Sequence, residues 1–260
     1  MSDSGRLAAF LLLGTAVLSW GLYGLVRPTP PERMKVYSGP IGFLGRWAYW
    51  VSRPLLRVAA VLGLSANAIT AIGALITLAA GAVAAVGEWG WAGFLLVFGS
   101  WCDLLDGEIA RTTRTQGKAG AFLDSNLDRL SEIALFAGLA ASLPDRAGVF
   151  WAIAALAASL MVSYARARGE GLGVECPNFG MERPHRVVLL MFALLLAPFL
   201  RSGALLVEGA CAFVAVGAGA TALGRMVVIH HRLRRAEAQG EVETPRPRLL
   251  SGFFSRRPPG

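Results

Sequence analysis

Four regularly spaced aspartates are the residues of this chain best suited to chemistry. Asp103 and Asp106 are three positions apart, and Asp124 and Asp128 are four positions apart. On helices, either spacing places both members of a pair on one face. Clustered carboxylates repel one another unless a cation joins them, and oxygen ligands suit hard divalent ions such as Mg²⁺ or Mn²⁺. The spacing therefore predicts a metal site, against the alternative of ordinary ion pairs with nearby arginines and lysines.

The elements that must position these aspartates are membrane helices. Apolar residue types make up 55% of the 260 residues and charged types 16%, well below the roughly 25% of charged residues usual in globular domains. This composition excludes an ordinary soluble protein. Seven stretches are predicted to be spans, of which the sixth is short for a bilayer. They are residues 7–26, 68–86, 89–111, 120–142, 147–165, 187–200 and 202–224.

The aspartate pairs fall at the adjoining ends of two predicted spans. A short connection joins residues 89–111 to residues 120–142. We therefore expect the two helices to run antiparallel and to bring all four carboxylates to a similar depth. Gly107 and Ala110 leave the helix face bare before Arg111, so a bulky planar group could approach the backbone there.

The net charge of +8 follows the predicted topology. If residues 27–57 are cytoplasmic, only Arg6, Arg146 and Arg201 fall on the opposite side, and Arg129 and Arg225 fall within spans. This asymmetry is typical of cytoplasmic loops in membrane proteins. It predicts an inner-membrane, multi-pass protein whose aspartates face the cytoplasm and whose positive charge serves membrane lipids rather than nucleic acid.

The segments that flank the predicted core differ in character. Residues 1–38 are interpreted as a retained membrane anchor and linker, which we favour over a cleaved secretory signal. Ile41 to Leu62 is aromatic-rich and is predicted to contain an amphipathic helix lying in the interface, with Ser52 as its N-cap and Pro54 in its first turn. Residues 39–231 form the membrane domain, and residues 232–260 are predicted to be a disordered basic tail.

Taken together, the aspartate region resembles the signature of the CDP-alcohol phosphatidyltransferase family. The pattern D-x2-D-G-x2-A-R-x8-G-x3-D-x3-D is filled at every defined position from Asp103 to Asp128. The resemblance covers about residues 40–231. It implies an all-α membrane fold of six core spans and an interfacial helix, to which this chain adds an N-terminal span. It also implies a homodimeric enzyme of phospholipid biosynthesis that transfers a phosphatidyl group from CDP-diacylglycerol to an alcohol and releases CMP.

The same resemblance implies a role for each site residue. Asp103, Asp106 and Asp124 would hold Mg²⁺ or Mn²⁺, as two ions, and Asp128 would complete the site and act as the general base. Donor contacts are implied for Asn67, Ala68, Ile69, Thr70, Gly107, Ala110, Arg111 and Gly117. For the first of these segments a simple helix cap, with Ser65 or Asn67 as N-cap, is equally compatible with the residues. Gly117 stands where the family often has a hydroxyl residue, so only a backbone contact to the donor would remain there.

A second cluster of basic residues bears on the acceptor. Arg166, Arg168, Arg183 and Arg186 come from one predicted cytoplasmic loop and its flanking helix ends. Guanidinium groups bind phosphate bidentately, so the four could cradle an acceptor phosphate. Alternatively, they only orient the protein in the membrane.

The same loop resembles the phosphatidylinositol-phosphate synthase branch of the family. The run from Ser163 to Glu170 is similar to that branch's S-Y-x-[KR]-A-R-x-E, and Glu182 to Arg186 is similar to its E-R-P-E-R, with His185 in place of the second glutamate. The resemblance favours inositol phosphate as the acceptor, with glycerol 3-phosphate as the alternative. A cation-coupled transporter is the alternative from another class. Transporters often have repeated halves and midplane sites with broken helices, whereas this sequence shows neither and its carboxylates fall near the predicted cytoplasmic ends.

Overall fold

The fold is built from helices alone. The computed structural model describes residues 2–29, 39–113, 115, 117–176 and 178–239, and within them every element is helical. The helices are α1 (Asp3–Val26), α2 (Gly39–Val61), α3 (Ala66–Ala85), α4 (Trp89–Thr112), α5 (Lys118–Ser142), α6 (Arg146–Gly171), α7 (Arg183–Leu196) and α8 (Gly203–Ala238), with a 3-10 turn at Ala197–Phe199. The predicted all-α fold is confirmed.

Several helices can cross a bilayer by themselves. In the described part of the chain, α1, α3, α6 and α8 are long and apolar enough to do so. The helices α4 and α5 carry the aspartates, and α7 has 14 residues. Seven spans therefore remain a prediction, while the membrane character of the protein follows from the four apolar helices.

Close packing of α3 fixes the positions of α4 and α5. A side chain at Gly73 would collide with Cys102 of α4, and one at Gly81 would collide with the backbone of α5 at Ala134. Small residues at such crossings let helix backbones approach, which is a common way of joining helices in membranes. The two aspartate-bearing helices are thus held against a third helix rather than only against each other.

The start of α2 contradicts the prediction from the sequence. The helix begins at Gly39 and passes through Pro54, so Ser52 is not an N-cap. The Ser52 hydroxyl donates to the Ala48 carbonyl at 2.6 Å and accepts from the Trp101 indole at 2.7 Å. Proline inside a helix removes a backbone hydrogen bond. Contacts of this kind with α4 compensate for that loss and keep the helix continuous.

Two further helices have bounds that differ from the predicted ones. The helix α7 begins at Arg183 instead of residue 187, with Pro184 in its first turn, where a missing N–H costs nothing. The helix α8 runs to Ala238, so residues 232–238, predicted to belong to a disordered tail, are helical. Within this extension, Arg232 donates to the Glu175 carbonyl at 2.7 Å, and Arg225, buried earlier in α8, donates to the Val162 carbonyl of α6. The rest of the predicted tail, from residue 240, lies outside the described residues.

The helix α1 is attached to the turn between α3 and α4. The Glu88 carboxylate accepts hydrogen bonds from the Ser2 backbone N–H and the Ser2 hydroxyl, both at 2.8 Å. The backbone hydrogen bond has the larger effect and the hydroxyl bond the smaller, and both lower the pKa of Glu88 because they stabilise its charged form. Ser2 also caps α1, since its hydroxyl accepts from the Gly5 N–H.

Candidate active site

An arginine from the acceptor cluster bridges the two aspartate helices. One terminal nitrogen of Arg183 lies 2.6 Å from the Asp103 carboxylate on α4. The other lies 2.8 Å from the Asp128 carboxylate on α5. The start of α7 therefore meets the ends of α4 and α5 at one point. The structure brings together here two groups that the sequence separates by more than fifty residues.

The third aspartate is held by the first turn of α3. The Thr70 hydroxyl donates to the Asp106 carboxylate at 2.6 Å, and both residues are buried. Ser65 caps this helix by accepting from the Ala68 N–H, so the capping role is carried by Ser65 and not by Asn67. The predicted donor segment from Asn67 to Thr70 thus lies beside the aspartates, and the helix cap and the donor contact are compatible.

The remaining predicted donor residues surround a bare stretch of α4. The Arg111 guanidinium lies over Gly107, within about 3.3 Å of where a Cβ would be, and pairs with Glu108 at 3.1 Å. Ala110 is half-buried beside it. Gly117 is the N-cap of α5, and its surroundings are open. The arrangement leaves backbone and one guanidinium, rather than bulky side chains, facing any bound planar group.

The four aspartates are chemically suited to bind a hard divalent cation, but their carboxylates are not gathered around one point. Among the residues that the structure describes, no three carboxylate, imidazole or thiol side chains are gathered closely enough to hold a metal ion. The reason is visible: Arg183 holds Asp103 and Asp128, and Thr70 holds Asp106. The Arg183 guanidinium supplies positive charge between these two carboxylates. The oxygen donors around it are those that Mg²⁺ and Mn²⁺ prefer.

The fourth aspartate completes this electrostatic centre. Asp124 lies on α5 one turn before Asp128, and its carboxylate is within range of the charges of Asp103, Arg183 and Arg129. Arg129 lies 3.9 Å from Asp128, so it adds a weaker positive contact. Acidic and basic groups are therefore interspersed where the end of α4 meets the starts of α5 and α7.

The four acceptor arginines do not lie in equivalent surroundings. Arg166 is partly exposed and pairs with Glu170 at 3.0 Å, and Arg168 is exposed. Arg183 reaches the aspartates. Arg186 differs from all of them, because only 1% of its surface is exposed. The structure therefore buries one of the four arginines predicted to contact the acceptor phosphate and leaves the other three at least partly exposed.

Glu132 explains the burial of Arg186, and sequence reasoning missed it. Its carboxylate lies 2.6 Å from Arg186 and 2.7 Å from Arg129, and Arg186 also donates to the Met181 carbonyl. The signal was present: Glu132 lies one turn beyond Asp128 on the same helix face, and an acidic residue inside a span requires a partner.

A second ion pair, with a buried arginine, supports the same loop. Arg225 is 2% exposed and lies 3.3 Å from Glu182, the residue before Arg183. The Met181 N–H donates to the Thr221 hydroxyl of α8 at 2.9 Å. These contacts anchor the loop to α8, so they position Arg183 for its reach to the aspartates.

Comparison with known proteins agrees with this geometry. Residues 63–231 match the CDP-alcohol phosphatidyltransferase family. The chain is 34% identical over 191 residues to the archaetidylinositol phosphate synthase of Methanothermobacter thermautotrophicus, covering 70% of this chain and 94% of the relative. It is 34% identical over 167 residues to the phosphatidylinositol phosphate synthase of Streptomyces avermitilis, covering 60% and 68% of the two chains.

Solved structures of a related enzyme share the fold. Phosphatidylinositol phosphate synthase of Mycobacterium tuberculosis with CDP-DAG bound superposes with a TM-score of 0.62 at 26% identity, covering 68% of this chain and 92% of that one. The complex of that enzyme with manganese and citrate gives a TM-score of 0.63 at 25% identity, covering 68% and 88%. The family match over residues 63–231 excludes both α1 and α2.

Proposed function

Because this chain belongs to the CDP-alcohol phosphatidyltransferase family, we propose that it transfers the phosphatidyl group of CDP-diacylglycerol to a hydroxyl of inositol phosphate and releases CMP. The observation that carries the proposal is the contact of Arg183 with Asp103 and Asp128. It joins a phosphate-binding type of side chain directly to the carboxylates that would act on the donor. The relatives named for inositol phosphate products support the choice of acceptor.

The chemistry assigned to Asp128 is the removal of the acceptor's proton. An alcohol has a pKa far above 7, so it needs a base within hydrogen-bond reach. Asp128 takes the proton, the acceptor oxygen forms a bond to the phosphorus that carries the diacylglycerol, and the bond from that phosphorus to CMP breaks with its electrons going to CMP. Arg183 lies 2.8 Å and Arg129 3.9 Å from the Asp128 carboxylate, so both can orient it.

The donor is assigned to the surface between α3 and α4. Asn67, Ala68, Ile69 and Thr70 lie at the first turn of α3, and Gly107, Ala110, Arg111 and Gly117 lie around the bare face opposite. The Arg111 guanidinium can pair with the diphosphate, since it already extends over Gly107. Thr70 positions Asp106 towards the same surface.

Divalent metal is assigned to Asp103, Asp106, Asp124 and Asp128. A divalent cation bound there would neutralise the diphosphate and the charge that develops on the leaving CMP. We expect activity to disappear in a chelator and to return with Mg²⁺ or Mn²⁺, because four carboxylates without a cation repel both each other and the donor. CMP release measured after dialysis against EDTA, with each ion added back separately, tests this. Full turnover without added metal would contradict it.

Three arginines are assigned to the acceptor phosphate. Arg166 and Arg168 lie near the end of α6, and Arg183 begins α7. Arg186 is left out, since its charge is already neutralised by Glu132 in the interior. Arg183 has two functions in this proposal. It pairs with Asp103 and Asp128 in the structure described here, and a cation held by the aspartates would leave it free for the acceptor phosphate.

The same charge distribution supports the proposed location. With the basic ends of α4, α6 and α8 on one side, the candidate site faces the cytoplasm of a cell with an inner membrane. Inositol phosphate and CMP are water-soluble, so a site at this depth can exchange them with the cytoplasm while the lipid stays in the bilayer.

An acceptor comparison tests the proposed function. Purified protein in mixed micelles with CDP-diacylglycerol is offered inositol phosphate, glycerol 3-phosphate or free inositol, and CMP release is measured. We expect inositol phosphate to be used best and free inositol to be used poorly, because the latter offers no phosphate to the arginines. Preferential use of glycerol 3-phosphate would reassign the acceptor, and equal use of free inositol would exclude a phosphate-reading site.

The substitution Arg166→Ala tests whether this arginine binds the acceptor phosphate. A charge-assisted hydrogen bond contributes about 1.5–3 kcal/mol, so its loss should raise the KM for inositol phosphate on the order of ten- to a hundredfold. The KM for the donor should change little. Arg201→Ala is the matched control, because it removes one exposed arginine between the 3-10 turn and α8. An unchanged acceptor KM in Arg166→Ala would show that this arginine serves orientation only.

A further inference from the structure

The helix α1 is fastened to the bundle at its N-terminal end. Besides the bonds from Ser2 to Glu88, the Trp91 indole donates to the Ser4 hydroxyl at 3.1 Å, and Arg6 donates to the Pro198 carbonyl at 3.2 Å. Gly90 lies against the α1 backbone so closely that no side chain would fit there. This end of α1 therefore packs directly on α4 and on the turn after α7.

The opposite end of α1 is fastened by aromatic residues. The Trp20 ring makes an edge-to-face contact with Trp47 of α2 at 5.6 Å between centroids, and Tyr23 makes one with Trp50 at the same distance. The Trp47 indole also donates to the Ser19 hydroxyl at 3.1 Å. These contacts attach α1 to α2 on the side where the aspartates lie.

Between these two ends, an open-sided pocket of about 740 Å³ lies between α1 and the rest of the bundle. We call it the α1 pocket, and its walls come from α1, α2, α4 and α7. Leu12, Ala16, Val51, Phe98 and Met191 are typical of its lining, which is almost entirely apolar. Its volume lies within the range of roughly 300–1,000 Å³ that small-molecule sites occupy. An apolar space of this size inside a bilayer is suited to a hydrocarbon chain and not to water.

One end of the α1 pocket is lined by residues next in the chain to two residues of the candidate active site. Leu104 lines it and follows Asp103, and Pro184 lines it and follows Arg183. Its other end reaches Phe94 on α4. Ten residues of helix separate Phe94 from Leu104, which is about 15 Å at 1.5 Å per residue. That length is about half of the 30 Å hydrocarbon core, or the depth of one leaflet.

We propose that the α1 pocket holds one acyl chain of the CDP-diacylglycerol donor and that α1, which lies outside the family's matched region, sets the chain length accepted there. The inference rests on the proposed use of this donor. A diacylglycerol whose diphosphate lies at the aspartates has its acyl chains within reach of Leu104 and Pro184. Without α1 the same surface of α4 and α7 would face lipid, and a chain of any length could lie along it.

The test compares donors of two lengths in a variant that shortens the α1 pocket. Leu12→Trp fills it far from the aspartates, since Leu12 lies eight residues, about 12 Å, from Trp20. For CDP-dioleoylglycerol we expect kcat/KM for CMP release to fall on the order of tenfold, because several methylene groups lose their burial. For CDP-dioctanoylglycerol, whose chains do not reach Leu12, we expect little change. That second donor also reports that the variant is folded.

Leu18→Trp is the matched control. It makes the same substitution on α1, but Leu18 is 75% exposed and does not line the pocket. It should leave the ratio of the two donors as in the unmodified protein. Phe94→Ala, which lengthens the pocket, should shift the ratio towards the longer donor.

Two outcomes would overturn the proposal. One is an equal effect of Leu12→Trp on both donors, and the other is an equal shift of the ratio by Leu18→Trp. The assay can be run with whichever acceptor the protein prefers, so a different acceptor does not affect it. Failure to release CMP from any CDP-lipid would refute the proposed function instead, whereas normal CMP release with an unchanged donor ratio would refute only the role of α1.

Discussion

Asp128→Asn is expected to abolish nearly all transfer while leaving a folded protein. The amide has almost the shape of the carboxylate but cannot take the acceptor's proton, and a general base contributes roughly 10²–10⁴-fold to a rate. CMP release should fall by that factor with little change in the KM for either substrate. The measurement is a saturation series on purified protein, with binding of CDP-diacylglycerol followed separately by ligand-dependent thermal stabilisation.

Asp145→Asn is the matched control for this substitution. Asp145 is the N-cap of α6, where its carboxylate accepts from the Gly148 N–H at 2.7 Å, and asparagine caps helices about as well as aspartate does. Its activity should stay close to that of the unmodified protein. If Asp128→Asn also remains within a few-fold, another group must take the proton, and the assignment of Asp128 as base has to be given up.

Arg186→Met is expected to prevent stable folding. It leaves the buried Glu132 carboxylate with Arg129 as its remaining partner. Removal of one member of a buried ion pair typically costs about 3–5 kcal/mol, which is a large part of the stability of a domain. The yield of monodisperse protein and its midpoint of thermal unfolding in detergent should both fall. Arg168→Met, which removes an exposed arginine instead, serves as the control.

A double substitution separates loss of the pair from loss of acceptor binding. Replacing both charges, in Arg186→Met with Glu132→Gln, removes the uncompensated carboxylate, so much of the lost stability should return. A folded Arg186→Met protein with normal stability and a raised KM for inositol phosphate would give the opposite answer. That result would indicate that Arg186 contacts the acceptor phosphate despite its burial.

The helices could be predicted from the sequence because they depend on local properties. Long apolar runs specify where α1, α3 and α6 lie, and the three- and four-residue spacing of the aspartates places them on helix faces whatever else surrounds them. The motif from Asp103 to Asp128 is equally local, since its residues lie on two consecutive helices. For these reasons the fold class, the family and the position of the aspartates could be predicted from the sequence.

The starts and ends of helices were less predictable. A proline usually marks the beginning of a helix, yet α2 passes through Pro54. Packing of Ser52 and its neighbours against α4 outweighs the lost hydrogen bond, and this packing involves a residue nearly fifty positions away. The continuation of α8 beyond its apolar part is likewise accompanied by a contact with a distant segment, since Arg232 donates to the Glu175 carbonyl.

Only the tertiary structure distinguished the roles of neighbouring arginines and of α1. Arg183 and Arg186 are three residues apart and look equivalent in the sequence, but one reaches Asp103 and Asp128 and the other is buried against Glu132. Burial and ion pairing depend on what distant helices place nearby, and no local pattern records that. The α1 pocket has the same origin, because a cavity exists only when four helices have taken their positions around it.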